Sequence, residues 1–199
     1  MNIQDYVFQI TTLHHDCIIN WKKTGTDFTH QSPFALIEEN HAYNFLLWHE
    51  EDSARRDDLG YEFVYRAKRN IDHYNQQRNN RMEAIDESLF KQLNPASTDQ
   101  CTVHSETPGQ IIDRLSILAL KYHHMKLESI RPTADNHHKE HCSQKASIIQ
   151  AQQNQLQQCL QQLLLEVQQK TRTFVLYHQF KMYNDPSLNP ELRRSLKTE

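Results

Sequence analysis

Three glycines in 199 residues, Gly25, Gly60 and Gly109, limit this chain more than any other feature of its sequence. An all-β fold needs frequent tight turns and β-branched strands, and with valine also scarce the chain has the composition for neither. Gln, Leu, Glu, Lys and Arg are plentiful instead, and all are good helix formers. The sequence predicts an all-α protein.

Its few breakers mark out the helices. A first helix fits residues 2–22, with Tyr6, Ile10, Leu13, Cys17 and Trp21 at helical spacing. Ser32-Pro33 reads as an N-cap followed by Pro at the first helical position, starting a helix that runs to about residue 56. Arg55 and Arg56 near its end suit the negative pole of the helix dipole. A periodic segment at 61–92 closes at Asn94-Pro95, and Thr107-Pro108 restarts a helix running to about 130. From about 134 to 183 the chain is Gln-rich, with Leu156, Leu160, Leu163, Val167 and Phe174 in register for one or two long helices. Residues 184–199 form a short tail in which Asn-Asp-Pro-Ser stops the helix. About five long helices in a single domain, 1–199, predict an antiparallel bundle with core blocks at 32–130.

Bulk properties exclude several classes. Lys and Arg number 22 against 25 Asp and Glu, a net charge of −3, which argues against a nucleic-acid binder held by charge. The mean hydropathy of −0.82 and the shortness of every apolar run argue against membrane insertion. Cys17, Cys101, Cys142 and Cys159 show no Cys-x-x-Cys spacing and read as reduced thiols. With no signal peptide visible, a cytoplasmic location is expected.

Helical wheels put polar residues where apolar ones belong. In the 61–92 helix, Val64, Ala67, Ile71, Tyr74, Met82, Ile85 and Leu89 form a stripe with Arg78 in its middle, bordered by Lys68, Asp72, Asn75, Asn79 and Asp86. In the 33–56 helix, Asn40, Asn44, Glu51 and Arg55 share the arc of Leu36, Tyr43, Leu47 and Ala54, with Glu51 near its centre. A lone buried charge costs several kcal/mol, so Glu51 and Arg78 are expected to lie close together or in a solvated cavity. In the 108–130 helix, Asp113, Arg114, Lys121 and His124 gather opposite the apolar face. An edge helix would turn that side to water, and a central helix would turn it toward a shared cavity. These groups make either a buried network that fixes register or a polar cleft suited to an anionic or sugar-like ligand.

Metal readings are weaker. Glu51, Asp72, Glu83 and Asp86 are candidate Mg²⁺ ligands for phosphate chemistry, as in all-α nucleotide pyrophosphohydrolases, but only Glu83-x-x-Asp86 matches and the companion Glu-x-x-Glu is absent. No metal is favoured and no cofactor is predicted, Mg²⁺ being the one possibility kept open. His137 and His141 stand four apart without a third ligand and read as a surface cluster. The glutamines of QAQQNQLQQCLQQ form a solvated helix face or, as the alternative, a surface for a protein partner.

The runs LWHEEDSARR, KRNIDHYNQQRNNRMEAID, ETPGQIIDRLSILALKYHHM and KMYNDPSLNP resemble the successive blocks of a bacterial family known as domain of unknown function 4254, from about residue 40 to 190. The matching positions are Glu51, Asp52, Arg55, Lys68, Asp72, Asn75, Arg78, Asp86, Asp113, Arg114 and Lys121. The resemblance implies a helical bacterial protein, often encoded near glycosyltransferase genes for surface polysaccharide, and it implies no activity. The resulting expectation is a pocket between the 33–56, 61–92 and 108–130 helices. Lys68, Arg78 and Arg114 would bind an anionic group there, assisted by Asp72, Asn75, Lys121 and His124, with Glu51 and Asp113 orienting them or acting as acid and base. The alternatives are a non-catalytic partner of a polysaccharide-synthesis enzyme and a metal-dependent phosphohydrolase.

Overall fold

In the computed structural model, residues 2–178, 180 and 186–195 are described. Among them five long helices carry the fold: α1 (Ile3–Thr24), α2 (Ala35–Ser53), α3 (Tyr61–Leu93), α4 (Pro108–Ser129) and α5 (Asn136–Gln168), followed by a short α6 (Pro190–Ser195). The chain is all-α, as composition predicts, and no described helix is long and apolar enough to cross a membrane.

Most boundaries follow the local chemistry. Asn2 caps α1, its side chain accepting from the Asp5 N–H at 3.2 Å. Asn94 ends α3 in the left-handed conformation, φ 44°. Two boundaries differ from expectation. Pro33 does not open α2: the Gln31 carbonyl accepts from both Phe34 and Ala35, so a turn precedes the helix, which begins two residues later. The Gln-rich helix ends at Gln168 and does not continue toward 183, of which residues 179 and 181–183 lie outside the described set. Lys170 turns the chain at φ 62°, its ammonium donating to the Leu93 carbonyl at 2.8 Å. Arg172–Thr173 (β2) then pairs in parallel with Thr102–Val103 (β1), and Phe174 is buried against Phe90. Residues 184 and 185 of the expected stop also lie outside the described set, and 186–188 form a turn.

Side-chain pairings give the packing. Asn40 meets Arg78 and Glu50 meets Asn70, so α2 and α3 form an antiparallel hairpin. Glu128 meets His138 at the start of the antiparallel α4–α5 hairpin. Residues 25–34 form a strap that returns along α1, so Tyr6 meets Phe34, His14 meets His41, and Trp21 meets Phe45, with α1 and α2 running the same way. The core is one cluster fed by every long helix, with Ile10, Ile37, Ile85, Ile112, Leu115 and Leu160 fully buried. Helix α4 packs against α1, α2, α3 and α5, and is therefore the central helix.

The start of α4 is locked onto α3. Thr107 and Gln110 close a capping box, and Pro108 occupies the first turn, where no N–H is needed. Gly109 comes so close to α3 that a Cβ there would lie 2.6 Å from the Met82 carbonyl oxygen and 2.9 Å from Asp86 Cγ. The buried Asp86 carboxylate accepts the Gly109 N–H at 2.6 Å, satisfying a backbone donor at the positive end of the helix dipole. Gly109→Ala should therefore destabilise the protein by about 1–3 kcal/mol through overpacking. Asp86→Ala should cost a similar amount, about 1–3 kcal/mol, by stranding that N–H. Urea titrations followed by circular dichroism would measure both, and wild-type midpoints would refute this account of the α3–α4 contact.

Candidate functional site

Asp113, in the second turn of α4, is 2 % exposed and is the hub of the polar interior. Its Oδ1 accepts from Arg78 Nε at 2.7 Å, Asn44 Nδ2 at 2.9 Å and Asn40 Nδ2 at 3.1 Å. Its Oδ2 accepts from Arg78 Nη2, which makes the ion pair bidentate. The bonds to Asp113 raise the Arg78 guanidinium above its usual value, outweighing the opposing effect of burial.

The network continues toward α1. Asn44 Nδ2 also donates to Ser116 Oγ at 3.0 Å, and Ser116 Oγ lies 2.7 Å from His41 Nδ1. His41 Nε2 is 2.9 Å from the His14 carbonyl oxygen, which can only accept. Burial pushes His41 down to about 3, so its ring is neutral at ordinary pH. We therefore assign the proton to Nε2 and let Nδ1 accept from the Ser116 hydroxyl. Ser116 and His41 are completely buried, so no substrate reaches this Ser–His pair and its role is structural.

The other edge of Arg78 is open. Its side chain is 25 % exposed and borders a cavity of about 530 Å³ between α2, α3 and α4. Asn75, Glu51, Asp52 and Arg55 supply the polar lining, and Leu47, Trp48, Ile117 and Leu120 the apolar one. Glu51 Oε2 and Arg55 Nη1 pair at 2.9 Å in an exposed i,i+4 bridge. Lys68 and Asp72, expected in the site, do not border this cavity: Lys68 bonds Asp72 at 2.8 Å, and that bond, with a smaller contribution from the Glu51 charge, raises its ammonium above the ordinary value. Behind the wall, Trp48 stacks on His124 at 4.4 Å with planes 9° apart.

Several expected placements change. Arg78 and Glu51 border the same cavity, but Arg78 is paired with Asp113, and Glu51 is exposed because α2 ends only two residues beyond it. Asp113 is not on a solvent face: it and Arg114 diverge by 100°, and α2 and α3 cover the Asp113 side. It accepts four hydrogen bonds and does not line the cavity, and its place here is to position Arg78. Arg114 and Lys121 border a different cavity, of about 940 Å³, between α4 and α5, where Arg114 pairs with Glu106. His124 stands behind Trp48 and does not border the α2–α3–α4 cavity.

The four carboxylates considered for Mg²⁺ go to separate partners: Glu51 to Arg55, Asp72 to Lys68, Glu83 to His178 and Asp86 to Gly109. Among the described residues, the one trio of donors close enough to share a metal is Cys17, His30 and Glu38. Sequence reasoning missed Ser116, His41 and His14. The available signal was spacing: Ser116 follows Asp113 by three, and His41 lies between Asn40 and Asn44.

Fold and site together define a helical bundle with a buried Arg–Asp network opening on a polar cleft. The family described as "Protein of unknown function (DUF4254)" matches residues 34–176, well over half the chain, and the protein belongs to that family. No curated protein and no solved structure matches it. The matched span begins at the end of the strap and leaves out α1.

Removing the hub should be costly. Asp113→Ala strands Arg78 in a partly buried position and should destabilise the protein by about 3–5 kcal/mol in chemical denaturation; a loss below about 1 kcal/mol would disprove the hub. A second expectation concerns pH. Burial depresses His14 well below its ordinary value, His41 to about 3 and His124 to about 4. The unfolded rings titrate near about 6.5, so unfolding takes up protons below that pH. Their contribution to stability is intact above about pH 6.5 and declines as pH falls toward 4. Asp86, pushed up to about 6 by burial, acts in the opposite sense between the ordinary carboxylate range and that pH. His124→Phe isolates one histidine, because it keeps the stack on Trp48 and removes an Nε2 that is buried without a partner. Its melting temperature should fall less than the wild type's between about pH 7 and pH 5; parallel curves would refute the assignment.

Proposed function

We propose that the protein binds a small polar ligand carrying an anionic group, of the phosphorylated or nucleotide-linked sugar kind, in the cleft between α2, α3 and α4. The observation that carries this reading is Arg78. Asp113 holds its Nε–Nη2 edge, which leaves Nη1 without a partner among the described residues and beside the cavity. A guanidinium fixed in this way loses little side-chain entropy on meeting a phosphate or carboxylate. Arg55 and Lys68 can add to it, since the exposed bridges that now engage them are each worth at most about 1 kcal/mol. Glu51, Asp52 and Asn75 offer acceptors and donors to sugar hydroxyls, and Trp48 offers an apolar wall. A volume of about 530 Å³ suits one small molecule.

Within this reading Glu51 is the candidate acid or base, because it lines the cleft and Asp113 is enclosed. A Mg²⁺ ion would arrive with the phosphates of the ligand, with Glu51 and Asp52 the nearest carboxylates. Arg114, Lys121 and His124 have no part in this cleft. The setting that goes with the reading is bacterial surface-polysaccharide metabolism in the cytoplasm. A second reading, a non-catalytic partner protein, draws support from Tyr61 and Tyr65, exposed one turn apart on one face at the start of α3, with Tyr61 90 % exposed. Those tyrosines, or the glutamine face of α5, are the surface such a partner would use.

Thermal-shift measurements against sugar phosphates, nucleotide sugars and nucleotides, each with and without Mg²⁺, test the proposal. A ligand at a hundred times its Kd should add about 2.7 kcal/mol, a rise of roughly 5–10 °C for a chain of this size. Arg78→Lys should abolish the rise, and Asn75→Ala should weaken it without harming the fold. No shift across the panel, or an undiminished shift in both variants, overturns the reading and directs attention to the partner surface.

A further inference from the structure

We propose that Cys17, His30 and Glu38 form a binding site for a zinc-type divalent cation, which ties the 25–34 strap to α1 and α2. This inference is independent of the cleft, which lies on the other side of α2. Glu38, in the first turn of α2, is 1 % exposed and faces α1 and the strap. Its Oε2 accepts the N–H groups of Thr29 at 3.1 Å and His30 at 2.8 Å. Its Oε1 accepts from Thr29 N at 3.2 Å and Thr29 Oγ1 at 3.3 Å, and also faces His30 Nδ1 at 2.9 Å and Cys17 Sγ at 3.8 Å. One donor atom from each of the three residues lies within 4.8 Å of the other two.

These distances suit a shared cation. Zinc–ligand bonds of about 2.0–2.3 Å arranged tetrahedrally separate their donors by roughly 3.3–3.8 Å. A sulfur and an oxygen on one zinc lie roughly 3.5 Å apart, so the 3.8 Å between Cys17 and Glu38 must close by a few tenths of an ångström. The His30 ring must retreat by roughly half an ångström, which its 38 % exposure allows. The fourth position opens on a cavity of about 220 Å³ bordered by Asp16, Asn20 and Asp27, with room for water or a further oxygen donor.

The donor set also selects the ion. One sulfur, one imidazole and one carboxylate suit Zn²⁺ or its Co²⁺ surrogate better than Mg²⁺ or Ca²⁺. A thiolate and a carboxylate balance the charge of a dication, with the imidazole neutral. Without the cation, burial and the adjacent Glu38 carboxylate push the Cys17 thiol up to about 12. A dication reverses the electrostatic part of that cost, and binding releases the thiol proton to solvent. Glu38 also serves as an acceptor for the strap's N–H groups. Those bonds orient the carboxylate: Oε2 is held by the Thr29 and His30 N–H groups, and Oε1, which also accepts from Thr29, faces the other two ligands, as second-shell partners of metal carboxylates orient their ligand.

The test is a Co²⁺ titration of the full chain after chelator treatment. One equivalent should bind, with visible tetrahedral d–d bands and a near-ultraviolet sulfur-to-cobalt charge-transfer band. Added Zn²⁺ should bleach both. Cys17→Ser should lose the charge-transfer band, and His30→Ala, altering a partly exposed ring, should weaken binding by more than about tenfold. Circular dichroism verifies that each variant stays helical. The proposal is overturned if no charge-transfer band appears or if His30→Ala binds Co²⁺ as tightly as the wild type. It is also overturned if the band survives Cys17→Ser and vanishes in Cys142→Ser, beside His138.

Discussion

The Arg78–Asp113 pair sets the geometry on which the rest of the interior depends. Taking both charges out of water costs more than an ordinary ion pair returns, so the pair holds only because its geometry is bidentate and Asn40 and Asn44 supply further donors. Those four residues come from α2, α3 and α4, and their bonds require one rotation and one height for each helix. Apolar side chains alone would let the helices slide or turn with modest loss, because cores repack when volume is kept. Directed bonds do not allow this. Through Ser116, His41 and the His14 carbonyl the same constraint reaches α1, so four of the five long helices share a single register.

Holding one edge of a guanidinium inside the protein determines what the other edge can do. Arg78 is enclosed enough to be rigid and open enough to meet a solute, a combination that a surface arginine lacks. The apolar wall of Leu47, Ile117 and Leu120 beside it lowers the local dielectric, which strengthens any bond the free edge makes. In the proposed reading, position and affinity therefore have one origin, and a change at Asp113 would alter both. The α4–α5 cavity lacks this arrangement: Arg114 and Lys121 beside it are exposed and no buried carboxylate orients them.

Helix identity was legible wherever local chemistry was decisive, as at Asn94-Pro95 and in the Thr107-Pro108 cap. The end of α5 was not, because Gln169 to Phe174 contains no glycine or proline and the turn at Lys170 is imposed by tertiary bonds to the end of α3. The wheels identified Arg78 and Asn40 as misplaced polar residues because each interrupts a stripe with one buried side. They left Asp113 open between water and the interior, because a wheel does not count a helix's neighbours; α4 has them on nearly every side, so its polar face is covered at Asp113. Glu51 meets the cavity beside Arg78 and pairs with Arg55 instead of Arg78. It continues the inward arc of α2, but the helix ends just beyond it and nothing buries its side chain.

The matched family blocks divide according to how their polar groups are satisfied. Asp86, Thr107 and Gly109 form one contact between α3 and α4, and Asp113 completes another; each is fully accounted for by the packing it secures. Glu51, Asp52, Arg55 and Asn75 are different. They border a cavity, and the bonds found among them are exposed and contribute little to stability, so the bundle would stand without them. Arg78 belongs to both groups. A polar residue that the fold does not need, placed beside one that the fold holds rigid, is what a binding site requires and a sealed network does not. That contrast, more than the size of the cavity, is why the cleft and not the buried Ser–His chain is the place to look for chemistry.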